Sequence, residues 1–142
     1  MLDFRNRFGR HVARRLRQER IVWLTTVASD DDDSPLPRPV WFHWDGRTVL
    51  ILSQKGKAKL RHIARNPEVS LNFNTDEDGG DVAVIGSEAK IMDAPPANNR
   101  VKAYLRKYRE GIKSLDMTVA EFSAAYTVPI LVTPKGLRGF VE

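Results

Sequence analysis

The chain has no cysteine among its 142 residues. That single absence excludes disulfides, thiolate metal sites, iron–sulfur ligation and a cysteine nucleophile. No apolar run approaches the roughly 20 residues a membrane-spanning helix needs, so no membrane partner is expected. The N-terminus, Met1-Leu2-Asp3-Phe4-Arg5, lacks the basic region followed by an apolar one that marks a secretion signal, and a cytoplasmic location is the expectation. There is no GxGxxG, which leaves a Rossmann dinucleotide site unsupported. Gly56-Lys57 is not a P-loop, because the upstream glycine is missing and no Ser or Thr follows the lysine. No nucleophile elbow supports serine catalysis. His11, His43 and His62 stand isolated, without metal-ligand spacing, and read as structural; no metal site is expected.

What is present fits one domain spanning residues 1–142, with 42% apolar residues to build a core. The formal net charge of +5 favours an anionic partner, which charge alone leaves open among nucleic acid, a phosphorylated cofactor and an acidic substrate.

Phe4, Phe8, Val12 and Leu16 recur every four residues, which predicts an amphipathic helix over 3–19 with Asp3 as its N-cap. Arg7, Arg10, Arg14 and Arg17 form a basic stripe beside that face, either a solvated surface or one wall of an anion-binding groove. Residues 21–28 read as a strand. Residues 29–37 read as a loop holding four consecutive aspartates, without the spacing, glycine and terminal glutamate of a calcium loop. Residues 40–44 and 48–52 flank Asp45-Gly46, a favoured two-residue turn, and predict a hairpin. Val40, Phe42 and Trp44 fall on one face, Trp41 and His43 on the other. Pro37 and Pro39 cannot donate ladder hydrogen bonds, which places this stretch at a sheet edge or bulge. A helix from Lys57 ends at Asn66-Pro67, and strands follow at 68–73 and 82–92, the second with a bulge expected at Gly86. Pro95-Pro96 opens a helix running through Tyr108, with Val101, Leu105 and Tyr108 as its apolar stripe. Thr118 and Glu121 form a capping box for a short helix over 119–125. A last strand covers 128–132, with 136–141 continuing it after a turn at Pro134. Strands joined by short turns pair antiparallel, so the fold class is mainly β (α+β) rather than a doubly wound sheet.

The strongest local chemistry lies between Ser53 and Arg61. A strand ends, a turn with Gly56 follows, and a helix begins carrying Lys55, Lys57, Lys59 and Arg61. A helix start offers unpaired amide protons and partial positive charge, so cations there oppose the dipole and a bound anion would relieve the conflict. The alternative is a solvated lysine cluster. The second candidate is Arg38-Pro39-Val40-Trp41-Phe42, where proline-interrupted edge backbone can meet the rim of a planar ring and Trp41 supplies an aromatic wall. Its alternative is a core strand with an aromatic plug.

These segments, with Val22-Trp23-Leu24-Thr25-Thr26-Val27, Trp44-Asp45-Gly46 and Arg65-Asn66-Pro67-Glu68-Val69, resemble the pyridoxamine 5′-phosphate oxidase-like split-barrel proteins. The resemblance is to their actinobacterial branch that uses the deazaflavin cofactor F420, and it covers nearly the whole chain. It implies a six-stranded antiparallel split β-barrel of the FMN-binding type with flanking helices. It further implies a homodimer whose second subunit completes the cofactor site. Residues matching Pro39, Val40 and Trp41, entered by Arg38, lie along the ring in such proteins. Residues matching Ser53, Lys55, Gly56, Lys57 and Lys59 hold the phosphate. Lys57 departs from the pattern, since a small hydroxyl residue is common there. The implied activity is hydride transfer between F420 and a small organic substrate, with no residue named as general acid or base. The alternatives are an FMN-binding oxidoreductase of the same fold, a non-catalytic carrier of the cofactor, and a nucleic-acid-binding barrel. The last is disfavoured because the lysines are not interleaved with aromatics that could stack on bases, so no nucleic acid is expected as a partner.

Overall fold

The structure, a computed structural model, describes residues 2–27 and 35–142. The chain opens with helix α1 (Arg7–Gln18), followed by strands β1 (Val22–Val27), β2 (Pro35–Val40), β3 (His43–Trp44) and β4 (Val49–Ser53). Helix α2 (Ala58–Arg65) leads to strands β5 (Glu68–Asn72) and β6 (Asp81–Ile91). Three helices, α3 (Asn98–Lys107), α4 (Arg109–Ser114) and α5 (Val119–Ala125), precede the last strand, β7 (Val128–Val141). The strands form one antiparallel sheet in the order β2-β1-β5-β6-β7-β4-β3, a half-barrel with flanking helices.

The sheet has seven strands where six were expected. The extra strand is β2, most of which reads as loop in sequence (residues 29–37), although Pro37 and Pro39 were expected at a sheet edge or bulge and lie on one. Prolines at alternate positions direct their missing donors to one side of a strand, and at a sheet edge that side needs none. β2 is such an edge, pairing only with β1, from Val27↔Pro35 to Val22↔Val40. The ladder then stops, and Trp41 and Phe42 lie outside both it and the β3–β4 pairing. The aspartates at 30–33 lie outside the described residues.

Three other boundaries move. The cap of α1 is Asn6, whose side chain accepts the Gly9 N–H at 2.7 Å, while Asp3 accepts the Arg5 N–H outside the helix. The β3–β4 turn centres on Gly46-Arg47, because the Asp45 N–H donates to the Thr48 carbonyl and the Asp45 carboxylate accepts the Arg47 and Thr48 amides. Gly46 takes φ +98°, which the turn demands and a side chain resists. β7 runs unbroken past Pro134, and the register shift against Gly86/Ser87 absorbs one residue as a bulge. The α5 capping box forms as expected, with Thr118 and Glu121 bonding each other's backbone.

The period-two alternation places the two cores. Val49 and Ile51 of β4 join Val12, Leu16, Phe42, Leu71 and Ile85 on one face, with Val40 and Trp44 packed against them. Leu50 points to the other face, where Tyr104, Tyr108, Ile112 and Phe122 form a second cluster joined by Trp41 and Leu52. Each such large side chain taken from water contributes about 1.5–3 kcal/mol before entropy is set against it. Among the described residues, no helix is long and apolar enough to cross a membrane.

Candidate functional site

Two sequence-distant segments meet at one cleft of about 330 Å³. One wall is Pro39, Val40 and Trp41, where the chain leaves β2; the floor is Ile51, Leu52, Ser53 and Gln54 at the end of β4. Lys57 and Lys59 line its basic end, and Tyr104, Leu115, Phe122 and Tyr126 close the opposite side.

At the basic end, Lys57 is the N-cap of α2 and makes no side-chain cap; its carbonyl accepts the Leu60 N–H at 3.1 Å, which leaves the Ala58 and Lys59 amides at the helix start for an anion. Lys59 is half-buried, and burial, then the nearby charges of Arg38 and Lys57, push its ammonium pKa down. Burial also lowers the Arg38 pKa. Among the described residues, no carboxylate forms an ion pair with Arg38, Lys55, Lys57 or Lys59. Like charges held together without a counter-charge are unfavourable unless an anion joins them. This residue set therefore fits a phosphate.

Lys55 and Gly56 do not line the cleft. They form the exposed turn before α2, where Gly56 takes φ +75° and so lets the chain reverse from β4 into the helix. Ser53 lies at the floor but is 1% exposed, and its hydroxyl donates to the Gln54 carbonyl at 2.9 Å. The α1 stripe of Arg7, Arg10, Arg14 and Arg17 is exposed and does not line the cleft.

Trp41 serves both readings given for it. Its ring stacks on Tyr108 at 4.6 Å and 2° and on Phe122 at 5.7 Å, so it plugs the second core while its remaining surface faces the cleft. The helical wall was not legible as a site. Tyr104, Phe122 and Tyr126 were missed because the reading of α3 favoured Val101 and Leu105, whereas Tyr104 is the residue it buries most. The available signal was the pair of four-residue aromatic spacings, Tyr104–Tyr108 and Phe122–Tyr126, which stack or tilt together at 5.1 and 4.3 Å.

His43 sits on a separate network. Arg100 donates to its Nδ1 and carbonyl and to the Thr48 carbonyl and hydroxyl, and pairs with Asp45, clamping the β3–β4 hairpin to α3. His62 and Thr26 face each other at 2.9 Å in the core. Among the described residues, no three His, Asp or Glu side chains converge as a metal site would require. Among the described residues, the ionisable groups lining the cleft are Lys57, Lys59, Tyr104 and Tyr126, and burial raises the Tyr104 phenol pKa far above its usual range.

Residues 8–128 match the pyridoxamine 5′-phosphate oxidase family. The chain belongs to that family. No curated protein sequence matches it significantly. Solved structures of the same fold include a putative pyridoxamine 5′-phosphate oxidase from Listeria innocua, 23% identical over 91% of this chain and 94% of that one, with a TM-score of 0.68. An F420 reductase is 24% identical, covering 87% of this chain and 92% of its own, with a TM-score of 0.63. A heme storage protein from Vibrio cholerae is 16% identical, covering 96% and 98%, with a TM-score of 0.68. At these identities the likeness shows the shared fold.

Proposed function

We propose that this member of the pyridoxamine 5′-phosphate oxidase family binds coenzyme F420, with FMN as the alternative, and acts as an oxidoreductase on a small organic substrate. The observation that carries the reading is the pair Lys57 and Lys59 at one end of a cleft walled by Pro39–Trp41, with Arg38 outside the lining but near enough for its charge to act on Lys59, and no described carboxylate pairing with any of the three. Lys57, Lys59, Arg38 and the free amides at the start of α2 would hold the cofactor phosphate, with Lys55 at the exposed turn adding to the field. Pro39, Val40 and Trp41 would lie along the ring system, and the Leu52–Ser53 floor would support it. When bound, the reduced cofactor supplies a hydride to an electron-poor acceptor. No carboxylate or imidazole among the described residues lines the cleft, and in this reading the acceptor's remaining proton is drawn from solvent. The open side of the cleft is completed by a second copy of the chain in this reading, giving a homodimer.

The shared fold with an F420 reductase supports the deazaflavin assignment. The fold likeness to a heme storage protein supports a second reading, a carrier that binds its cofactor without turnover. Titration with F420 and FMN side by side, followed by turnover assays with electron-poor acceptors, separates the cases. Saturable F420 binding with turnover is expected. Tighter FMN binding, or binding with no turnover on any acceptor, would replace the reading with the corresponding alternative.

A further inference from the structure

Leu115 is 49% exposed and lines the cofactor cleft. An exposed leucine needs no explanation by itself, but this one is held in place. It is the C-cap of α4, and its N–H reaches the Gly111 and Ile112 carbonyls at 3.3 and 3.1 Å. The next two residues close the helix. The Asp116 N–H donates to the Lys113 carbonyl at 2.9 Å, and the Met117 N–H to the Ile112 carbonyl at 3.3 Å. This ending puts Asp116 at φ +57°, a conformation usually left to glycine. Met117 packs against the second core cluster, and Leu115 is left at the rim of the cleft.

The wall that Leu115 extends is built from Tyr104, Phe122 and Tyr126 and holds no carboxylate, imidazole or cation. The lysines stand at the other, basic end. A hydride passes only between atoms about 3–3.5 Å apart, so its acceptor has to stack on the cofactor ring inside this one cleft. With the ring along Pro39–Trp41 and the phosphate on Lys57 and Lys59, the ring face left for the acceptor is the one turned to Leu115 and Tyr126.

We infer that Leu115 is a specificity-determining residue of the cofactor cleft, and that it selects an uncharged, largely apolar ring compound as the hydride acceptor. This deepens the cofactor assignment above and rests on it. The acceptor gains two electrons and one proton as the hydride, the reduced cofactor is oxidised, and a second proton is drawn from solvent. A carboxylate on the acceptor would lose its hydration against Leu115 with no cation there to replace it, and Asp116, the next residue, adds a negative charge to the same stretch of chain.

The probe pair is 2-naphthol and 2-naphthoate, matched in shape and different in charge. Each is titrated into the whole protein, in its own oligomeric state, loaded with oxidised FMN and in parallel with oxidised F420. The cofactor's visible absorbance reads binding, so every variant is compared in its own loaded form. Expected is saturable binding of 2-naphthol, with FMN giving the long-wavelength charge-transfer absorbance of a ring stacked on the flavin, and binding of 2-naphthoate at least about tenfold weaker. Leu115→Lys should move the ratio of the two affinities at least about tenfold toward the anion, whereas Leu115→Ile should keep it. Val119→Lys puts the same charge at another exposed position, outside the lining of the cleft, and should move the ratio less than about threefold. Equal binding of the two probes, no saturable binding of 2-naphthol, binding to the FMN form without charge-transfer absorbance, or a Val119→Lys shift as large as that of Leu115→Lys overturns the role of Leu115 alone. Failure of both F420 and FMN to bind overturns the cofactor reading beneath it instead.

Discussion

The phenolic oxygen of Tyr108 accepts the backbone N–H of Phe42 at 2.8 Å and lies 2.7 Å from the Arg20 carbonyl, to which it donates. The Phe42 carbonyl, which accepts from Lys107 Nζ at 2.9 Å, is also within reach at 2.9 Å, so the one hydroxyl proton is shared between two acceptors, with Arg20 the nearer. One side chain thus ties the break between β2 and β3 to the segment that delivers Ile21, and both line the candidate cofactor cleft. Burial pushes the Tyr108 phenol pKa up, which keeps that proton in place.

Tyr108→Phe keeps the stacking on Trp41 and removes only the hydroxyl. The Phe42 N–H and Arg20 carbonyl then lose their partner inside the fold. A buried polar group left unpaired costs about 1–3 kcal/mol. The unfolding free energy should fall by that amount, seen as a lower urea midpoint with an unchanged slope, and FMN affinity should fall with it because Pro39–Trp41 loses its anchor. An unchanged midpoint would show that water replaces the hydroxyl.

Lys107 gives a pH dependence. Its Nζ lies 3.8 Å from the centre of the Phe42 ring, and its pKa is lowered to about 8, first by burial and then by Arg20, against a smaller opposing effect of Glu19. Between about pH 8 and its unfolded value near 10.5, the unfolded chain holds a proton that the folded one has released. Stability therefore rises with pH across that window, and the gain is lost as pH falls through 8. The slope lies below about 1.4 kcal/mol per pH unit, the ceiling for one proton, because the side chain is partly solvated. Urea unfolding from pH 7 to 10 should show this rise in the parent and not in Lys107→Met. Parallel curves for the two proteins would refute it.

How far the sequence reveals this arrangement depends on the period of each segment. The alternation of Val40, Phe42 and Trp44 against Trp41 survives in the structure, the first three on one core and Trp41 on the other, although the strand breaks between them. The lysines around α2 stand out from charge and helix polarity alone, and the structure brings Lys57 and Lys59 to one cleft. The edge position of Pro37 and Pro39 was legible from their missing donors, but the start of β2 at Pro35 was hidden because Ser-Pro-Leu-Pro carries a loop signature. The helical wall stayed hidden for a different reason: Tyr104 and Phe122 are ordinary core residues by local pattern. They become part of a site only when β4 and the α3–α5 run are brought together across more than 50 residues of chain.

Gly111 fixes how closely α4 approaches Trp41. A Cβ there would stand 2.9 Å from Cζ2 and 3.0 Å from Cη2 of the indole, whose other side is stacked on Tyr108. The ring therefore has little room to yield. Gly111→Ala gains about 1 kcal/mol of helix propensity, but overpacking costs about 1–3 kcal/mol, so a net loss is expected. Urea unfolding reads the balance, and near-UV circular dichroism reads the displaced indole. A stabilised variant with an unaltered aromatic spectrum would mean the helix shifts instead.

The phosphate assignment is tested most directly by comparing FMN with riboflavin, which differ only in that group. If Lys59, Lys57 and Arg38 hold the phosphate, the parent protein prefers FMN, and each lysine removed erodes that preference specifically. A hydrogen bond to a charged group contributes about 1.5–3 kcal/mol, roughly 10- to 150-fold in affinity. Lys59→Ala should therefore weaken FMN by about that factor while leaving riboflavin within about twofold, and Lys57→Ala, at a more exposed position, should do less. Raising salt should weaken FMN binding to the parent and have little effect on riboflavin, because screening acts on the charge pair and not on ring contacts. Equal losses for both ligands would assign Lys59 to the architecture of the α2 start rather than to the anion. In that case the uncompensated charge of Arg38, Lys57 and Lys59 would need a different counter-ion.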